Sequence, residues 1–195
     1  MDKDIGVLDK LMGQLLTLSR FEAGISGTRH DTVDLCQLVE EVGANANFEA
    51  ASSDKRVDVR IKGEAVLPTG DNYALRSACE NIVRNAVRFT QPGTSVEIDL
   101  SVERGPIADA AIISVRDRGP GVPEEMLEAI FEPFVRVEGE TTTAASNGLG
   151  LAIAAGAIRL HHGSIVASNR SGGGLEVLIR VPIDVAEEKH ASVSH

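Results

Sequence analysis

The stretch DNYALRSACENIVRNAVRFT, residues 71–90, reads as a long helix with Asp71 near its start. Its second half carries Glu80, Asn81, Asn85, Arg88 and Phe89. Asn81 and Asn85 stand four apart, so they project from one face. Interior Asn is a poor helix former, because its amide competes for nearby backbone groups. Two on one face ask for a reason. An amide oxygen is a neutral ligand for a hard cation such as Mg2+, and Arg88, three residues further on, can reach a phosphate. Taken alone, the same face also reads as a solvated polar stripe.

Three later stretches raise similar questions. DRGPGVP (117–123) follows a strand, and Gly119 and Gly121 permit an unusual backbone path after Asp117. A carboxylate at a strand end can accept from an exocyclic amine such as that of adenine. Asp-x-Gly-Pro-Gly is also strong turn chemistry by itself. FEPFVR (131–136) places Phe131 and Phe134 beside a proline, in a chain with only 3% aromatics. The pair can pin a neighbouring loop or simply pack in the core. In AASNGLGLAIA (144–154), Gly148 and Gly150 stand where a loop meets a helix. A helix start has unpaired N–H groups that can hold a polyphosphate, although a lone Gly-x-Gly is equally a tight turn.

The remaining pattern places these motifs on a scaffold. Residues 32–53 read as a helix with Thr32 as a candidate N-cap and Leu35, Leu38, Val39 and Val42 on one face. Alternation predicts strands over 55–63, 95–102 and 110–117. Residues 120–134 contain a turn and a short helix, 135–147 form a loop, and 149–161 form a helix of small residues. Two last strands form a hairpin around RSGGG (170–174). Strands in adjacent pairs, rather than in regular alternation with helices, predict an α+β sandwich.

Residues 3–22 predict a further helix, with Leu8, Leu11, Leu15 and Leu18 spaced as a heptad seam and Ile5 and Met12 widening it. Such a stripe either pairs with helices of another chain or folds onto its own domain. EAGISGTRHD (22–31) reads as a linker. The formal net charge of −10 argues against nonspecific binding to nucleic acid or to an anionic membrane. Cys36 and Cys79 read as reduced, buried thiols. No apolar run approaches membrane-spanning length and no secretory leader is visible, so a soluble piece is expected.

Taken together and in this order, ENIVRNAVRF, DRGPGVP, FEPF and NGLGLAIA resemble the N, G1, F and G2 boxes of histidine kinase ATP-binding domains. These belong to the Bergerat-fold superfamily, which also holds gyrase B, Hsp90 and MutL. The resemblance covers residues 32–183, and ENIVRNA and RDRGPGVP look most like envelope-stress sensor kinases of the Cpx type. It implies a two-layer α/β sandwich, a mixed sheet packed on helices, preceded by a partial dimerisation-hairpin helix.

It also implies roles. Asn85 binds Mg2+, with Asn81 beside the phosphates of ATP. Arg88 touches a phosphate, and Phe89 lines the nucleotide pocket. Asp117 accepts from the adenine amine, and Gly119, Gly121 and Val122 shape the pocket. Phe131 and Phe134 anchor an ATP lid over 135–147, and Arg136 follows the lid towards the terminal phosphate. Gly148, Leu149, Gly150 and Leu151 close over the phosphates. The family usually has a further glycine two residues before Gly148, where Ser146 stands, with Asn147 following.

In the gyrase, Hsp90 and MutL branch, a glutamate four residues before the metal Asn activates water. Here that position is Asn81, whose amide takes no proton at neutral pH. Glu80 is one residue, about 100° of helix turn, away. It remains a secondary candidate for polarising an acceptor. The pattern implies ATP kept intact for transfer to a protein side chain.

The acceptor histidine of such kinases lies on the first helix of the dimerisation hairpin, and no such segment is present. His30 lies in the linker, His161 and His162 end a helix, and His190 and His195 lie in the tail. The resemblance implies a remnant of the second hairpin helix over 1–24, a linker over 25–31, a catalytic domain over 32–184 and a tail over 185–195. Its implied partners are the hairpin domain of its own or a second protomer and a response-regulator receiver domain. The full-length protein is expected as a homodimer in the bacterial inner membrane, with this part cytoplasmic and free of direct membrane contact. Rival readings are a serine kinase of the anti-sigma-factor type, a non-catalytic nucleotide-binding or dimerisation module, and an ATPase of the gyrase branch.

Overall fold

The structure, a computed structural model, describes residues 2–25, 31–106, 108–137 and 147–183. Most of the expected linker, most of the expected lid (138–146) and the expected tail lie outside the described residues.

The elements run α1 (Asp2–Glu22), β1 (Asp31–Asp34), α2 (Leu35–Ala51), β2 (Arg56–Lys62), β3 (Val66–Gly70), α3 (Asn72–Phe89), β4 (Ser95–Glu103), β5 (Asp109–Arg116), α4 (Gly150–Leu160), β6 (Ser164–Asn169) and β7 (Leu175–Ile183). A five-stranded sheet has the order β2-β4-β5-β7-β6. The β2–β4 pair is parallel and the others are antiparallel. The expected two-layer sandwich with a mixed sheet is therefore present.

Strand alternation explains the layering. On β4, Val96, Ile98 and Leu100 are buried, while Glu97, Asp99 and Ser101 point to the open face. Helix α3 buries Ala74, Leu75, Ala78, Cys79, Ile82, Val83 and Ala86, a run at spacings of three and four. Asn81, Asn85 and Arg88 lie off that buried face. Helix α4 is built of small residues, so its neighbours approach closely. A Cβ added at Gly156 would stand 3.1 Å from that of Phe21 on α1. Burial pushes the Cys79 thiol up to about 12, which keeps it unreactive.

Helix α1 is divided between the two readings of its stripe. Leu18 and Phe21 are buried and Leu11 packs against the core, whereas Leu8, Met12 and Leu15 stay exposed. The side chain of Ile5 lies outside the described residues.

Three expectations need correction. Thr32 does not cap α2. It lies in β1, where its hydroxyl donates to the carbonyl of Pro68. Asp34 is the cap, accepting from the amides of Cys36 and Gln37 at 2.9 and 3.1 Å. The β-branched Thr suits an extended strand, and the carboxylate suits a helix start. Strands β1 and β3 were not anticipated. They pair with each other in a separate two-stranded sheet. The short helix expected within 120–134 is two 3-10 turns, Glu124–Met126 and Ala129–Phe131. Pro123 and Pro133 bracket this segment, and a proline cannot donate to a continuing helix.

The cap yields a stability prediction. Asp34→Ala should lower unfolding free energy by about 1 kcal/mol in chemical denaturation. Thr32→Ala should stay within about 0.5 kcal/mol of the parent. The reverse order would return the cap to Thr32.

Candidate functional site

The site forms where the end of β5, the C-terminal half of α3 and the start of α4 meet. Asp117 follows β5 directly and is 5% exposed. Its Oδ1 accepts the amide of Gly119 at 2.7 Å and that of Leu175 at 3.1 Å. Among the described residues no donor bonds Oδ2. Burial pushes the Asp117 carboxyl above the usual aspartate range. The amides of Gly119 and Leu175 and the charge of Arg170 pull partly the other way.

Close approach explains the glycines. A Cβ on Gly119 would lie 2.8 Å from the carbonyl oxygen of Phe89, so only glycine lets the turn rest on the end of α3. Thr90, 2% exposed, completes this joint. Its hydroxyl accepts the amide of Arg118 at 3.0 Å. Lys55 secures the same helix end, donating from Nζ to the carbonyls of Val87 and Arg88.

The β6–β7 turn forms the other wall. Asn169 clamps both polar backbone groups of Val122, accepting its amide at 2.9 Å and donating to its carbonyl at 2.7 Å. A Cβ on Gly121, at φ +78, would collide with the Asn169 side-chain oxygen. Arg170 donates from Nη1 to the carbonyl oxygen of Asp117 at 2.8 Å. Gly174, at φ +103, lets the turn pass so near that a Cβ would overlap that same oxygen.

On the far side, Asn81 is held by its own helix. Its Nδ2 donates to the carbonyl of Ser77 at 2.8 Å. Its Oδ1 faces the start of α4, 3.2 Å from where a Gly150 Cβ would sit. Helix α4 begins at Leu149 without a side-chain cap and without an acidic residue in its first turn. Its opening amides suit an anion. Leu149 itself is buried and Leu151 packs against the core, so these two contribute backbone rather than side chain. Asn85 is half-buried, one turn beyond Asn81 on the same face. Arg88 stacks over the Phe89 ring with its guanidinium carbon 5.0 Å from the centroid. Glu80 is half-buried on the neighbouring helical row.

Phe131 and Phe134 behave differently from each other. Phe131 packs against the core. The Phe134 ring is 61% exposed, so any anchoring is done by its backbone. Its amide donates to the carbonyl of Gly148 at 2.9 Å, and both residues have positive φ. A Cβ on Gly148 would lie 2.8 Å from the Phe134 carbonyl carbon. The two ends of the expected lid are thus clipped together. Arg136 is exposed just beyond the clip.

The four motifs therefore converge, joined through α3. Sequence reading missed Lys55, Thr90, Asn169, Arg170 and Gly174. The glycine run in RSGGG was the available signal, since three consecutive positive-φ residues, Gly172, Gly173 and Gly174, mark a turn built for close approach. Among the described residues no group of three His, Cys, Asp or Glu is placed to hold a metal. No helix among the described residues is long and apolar enough to cross a membrane.

Known proteins resemble this chain in sequence and in fold. The sequence profile of the family described as "Histidine kinase-, DNA gyrase B-, and HSP90-like ATPase" matches residues 70–185. The sensor histidine kinase CpxA of Escherichia coli K12 is 37% identical over 177 residues, which are 90% of this chain and 37% of CpxA. The chain thus spans little more than a third of that relative. Full-length ShkA, solved in complex with AMPPNP, superposes with a TM-score of 0.77 at 26% identity, over 92% of this chain and 36% of ShkA. The histidine kinase AdeS of Acinetobacter baumannii gives 0.73 over 94% of this chain and 82% of its own, at 22% identity, which speaks for the fold.

Proposed function

The chain belongs to the histidine kinase-, DNA gyrase B- and HSP90-like ATPase family, as an ATP-binding catalytic domain of the sensor histidine kinase kind, and on that premise we propose how its residues hold and deliver ATP. The observation that carries the reading is Asp117, buried, oriented by two amides and open at Oδ2. A carboxylate so placed accepts the exocyclic amine of adenine and repels the carbonyl that guanine offers at the same point. From there the nucleotide extends along the polar face of α3. Phe89 and Val122 border the base, and Arg88 and Asn81 meet the phosphates. The first-turn amides of α4, from Gly150 and Leu151, complete the cradle, and Arg136 reaches the terminal phosphate from the lid.

Asn85 is the protein ligand for Mg2+. When bound, that ion neutralises charge on the phosphate oxygens during transfer. The chain's own contribution is positioning and electrostatics. In the whole protein the γ-phosphoryl group passes to a histidine nitrogen of a dimerisation domain and then to an aspartate of a response regulator. The exposed part of α1, with Leu8, Met12 and Leu15 outward, corresponds to that domain's second helix. The parent is a homodimer of the bacterial inner membrane. With Asn81 where a hydrolase would hold a glutamate, water is not activated, so turnover without an acceptor should stay near background. Glu80 remains the group available to polarise the acceptor.

Calorimetric titration with a non-hydrolysable ATP analogue tests the metal assignment. Mg2+ should tighten binding to the parent chain, and Asn85→Ala should abolish that gain while leaving most of the Mg2+-free affinity. Absence of binding by the parent chain at millimolar Mg-nucleotide would withdraw the nucleotide reading. Phosphorylation of an added histidine-bearing hairpin, rather than of a serine protein, separates the kinase reading from its serine-kinase rival.

A further inference from the structure

Arg170 lies outside all four sequence motifs, yet it is only 14% exposed in its side chain and bridges two parts of the molecule. Its Nη1 donates to the carbonyl oxygen of Asp117 at 2.8 Å, and its Nη2 donates to Oε1 of Glu97 at 3.2 Å. Glu97 stands on the open face of β4. It also meets Arg118 at 3.3 Å, Arg116 at 3.2 Å and Arg60 at 3.8 Å. Arg116 further pairs with Asp99 and approaches Glu176. Burial works against the ionised Glu97 carboxylate, but the Arg170 hydrogen bond and the surrounding guanidinium charges hold it below the usual range. Glu97 is therefore a charged and fixed anchor.

The bridge acts on a residue that is held from three sides. The Asp117 amide donates to Leu175 at 3.0 Å, its carboxylate receives the Leu175 amide, and its carbonyl receives Arg170. All three contacts come from the β6–β7 turn and its following strand. The first two would persist without Arg170, but the carbonyl would lose its charged donor and the turn its link to the sheet.

We propose that Arg170, anchored by Glu97, is a positioning residue that orients Asp117 for adenine, and so sets the preference of this site for adenine over guanine nucleotides. The inference rests on the nucleotide reading above. Arg170 itself need not touch the nucleotide. It acts through the Asp117 backbone. A charge-assisted hydrogen bond of this kind carries roughly a tenfold effect when its donor is removed.

The test is calorimetry of the chain with non-hydrolysable ATP and GTP analogues on five forms: parent, Arg170→Ala, Arg170→Lys, Glu97→Gln and Asp117→Ala, each checked by thermal unfolding. Arg170→Ala should weaken the ATP analogue about tenfold and leave the GTP analogue within about twofold, narrowing the preference. Arg170→Lys keeps the charge but, with one ammonium in place of a two-armed fork, should recover part of the loss. Glu97→Gln should move in the same direction by a smaller factor. Equal weakening of both nucleotides, or no weakening of either, overturns the proposal. If Arg170→Ala does not fold, Arg170→Lys and Glu97→Gln decide, and an unchanged nucleotide preference in both overturns it. Loss of ATP binding in Asp117→Ala with none in the folded Arg170 and Glu97 variants sinks this inference alone. Absence of binding in the parent sinks the nucleotide reading itself.

Discussion

Asp117→Ala should weaken a non-hydrolysable ATP analogue by roughly 100-fold, the upper part of the range for losing a hydrogen bond to a charged group. The substitution removes the base contact and two internal bonds at once, because Oδ1 also holds the amides of Gly119 and Leu175. Asp117→Asn keeps an acceptor but no charge, and should fall between alanine and the parent. Affinity within about threefold of the parent in the alanine variant would remove Asp117 from the adenine contact.

The raised Asp117 pKa gives this prediction a pH signature. A carboxyl whose folded value exceeds its unfolded value favours the fold while protonated, and that contribution is lost as pH rises through the folded value. Nucleotide binding has the opposite sign, since the ionised form is the acceptor. Between the unfolded and folded values, raising the pH should therefore lower the contribution of this group to apo stability while strengthening ATP binding. Thermal unfolding with and without nucleotide across that window reads both trends, and Asp117→Asn should abolish them together.

The largest loss of stability is expected at Gly174. A Cβ there would overlap the Asp117 carbonyl oxygen, and the residue sits at φ +103. Backbone meets backbone, so no rotamer change relieves it. Gly174→Ala should cost about 3 kcal/mol or more, a fall of about 10 °C in Tm for a chain of this size. Gly172→Ala is the control within the same turn. It has φ +87 but open space around it, so only conformational strain, about 1 kcal/mol, applies. Similar losses at the two positions would mean that φ, and not close approach, selects glycine in this turn.

The contrast between those glycines bears on what sequence reading reached. The polar face of α3 was legible because Asn81 and Asn85 are local neighbours on a helix of known period. Asp117 stood out only through the order of the four motifs, because Asp-x-Gly-Pro-Gly by itself is ordinary turn chemistry. The supporting contacts were not, because their meaning lies far along the chain. Arg170 reaches Asp117 across 53 residues and Glu97 across 73. Thr90 reaches Arg118 across 28. Strands β1 and β3 escaped for a related reason. VLPTG carries a proline and alternates poorly, and it is a strand only because DTVD lies beside it. The cap of α2 was misplaced by two residues because Thr32 and Asp34 are both acceptable caps, and the pairing of β1 decided between them.

The bond from the Phe134 amide to Gly148 has an evolutionary consequence. It closes a ring of chain whose ends are fixed by backbone contacts alone, apart from whatever sequence lies between them. For a flexible ring, doubling the number of residues costs only about 0.6 kcal/mol of closure entropy. By that scaling, a change of length between Phe134 and Gly148 alters the closure entropy little. On the reading proposed above, length and sequence between the two clipped ends can vary among relatives as a replaceable cassette, while the base contact stays with Asp117.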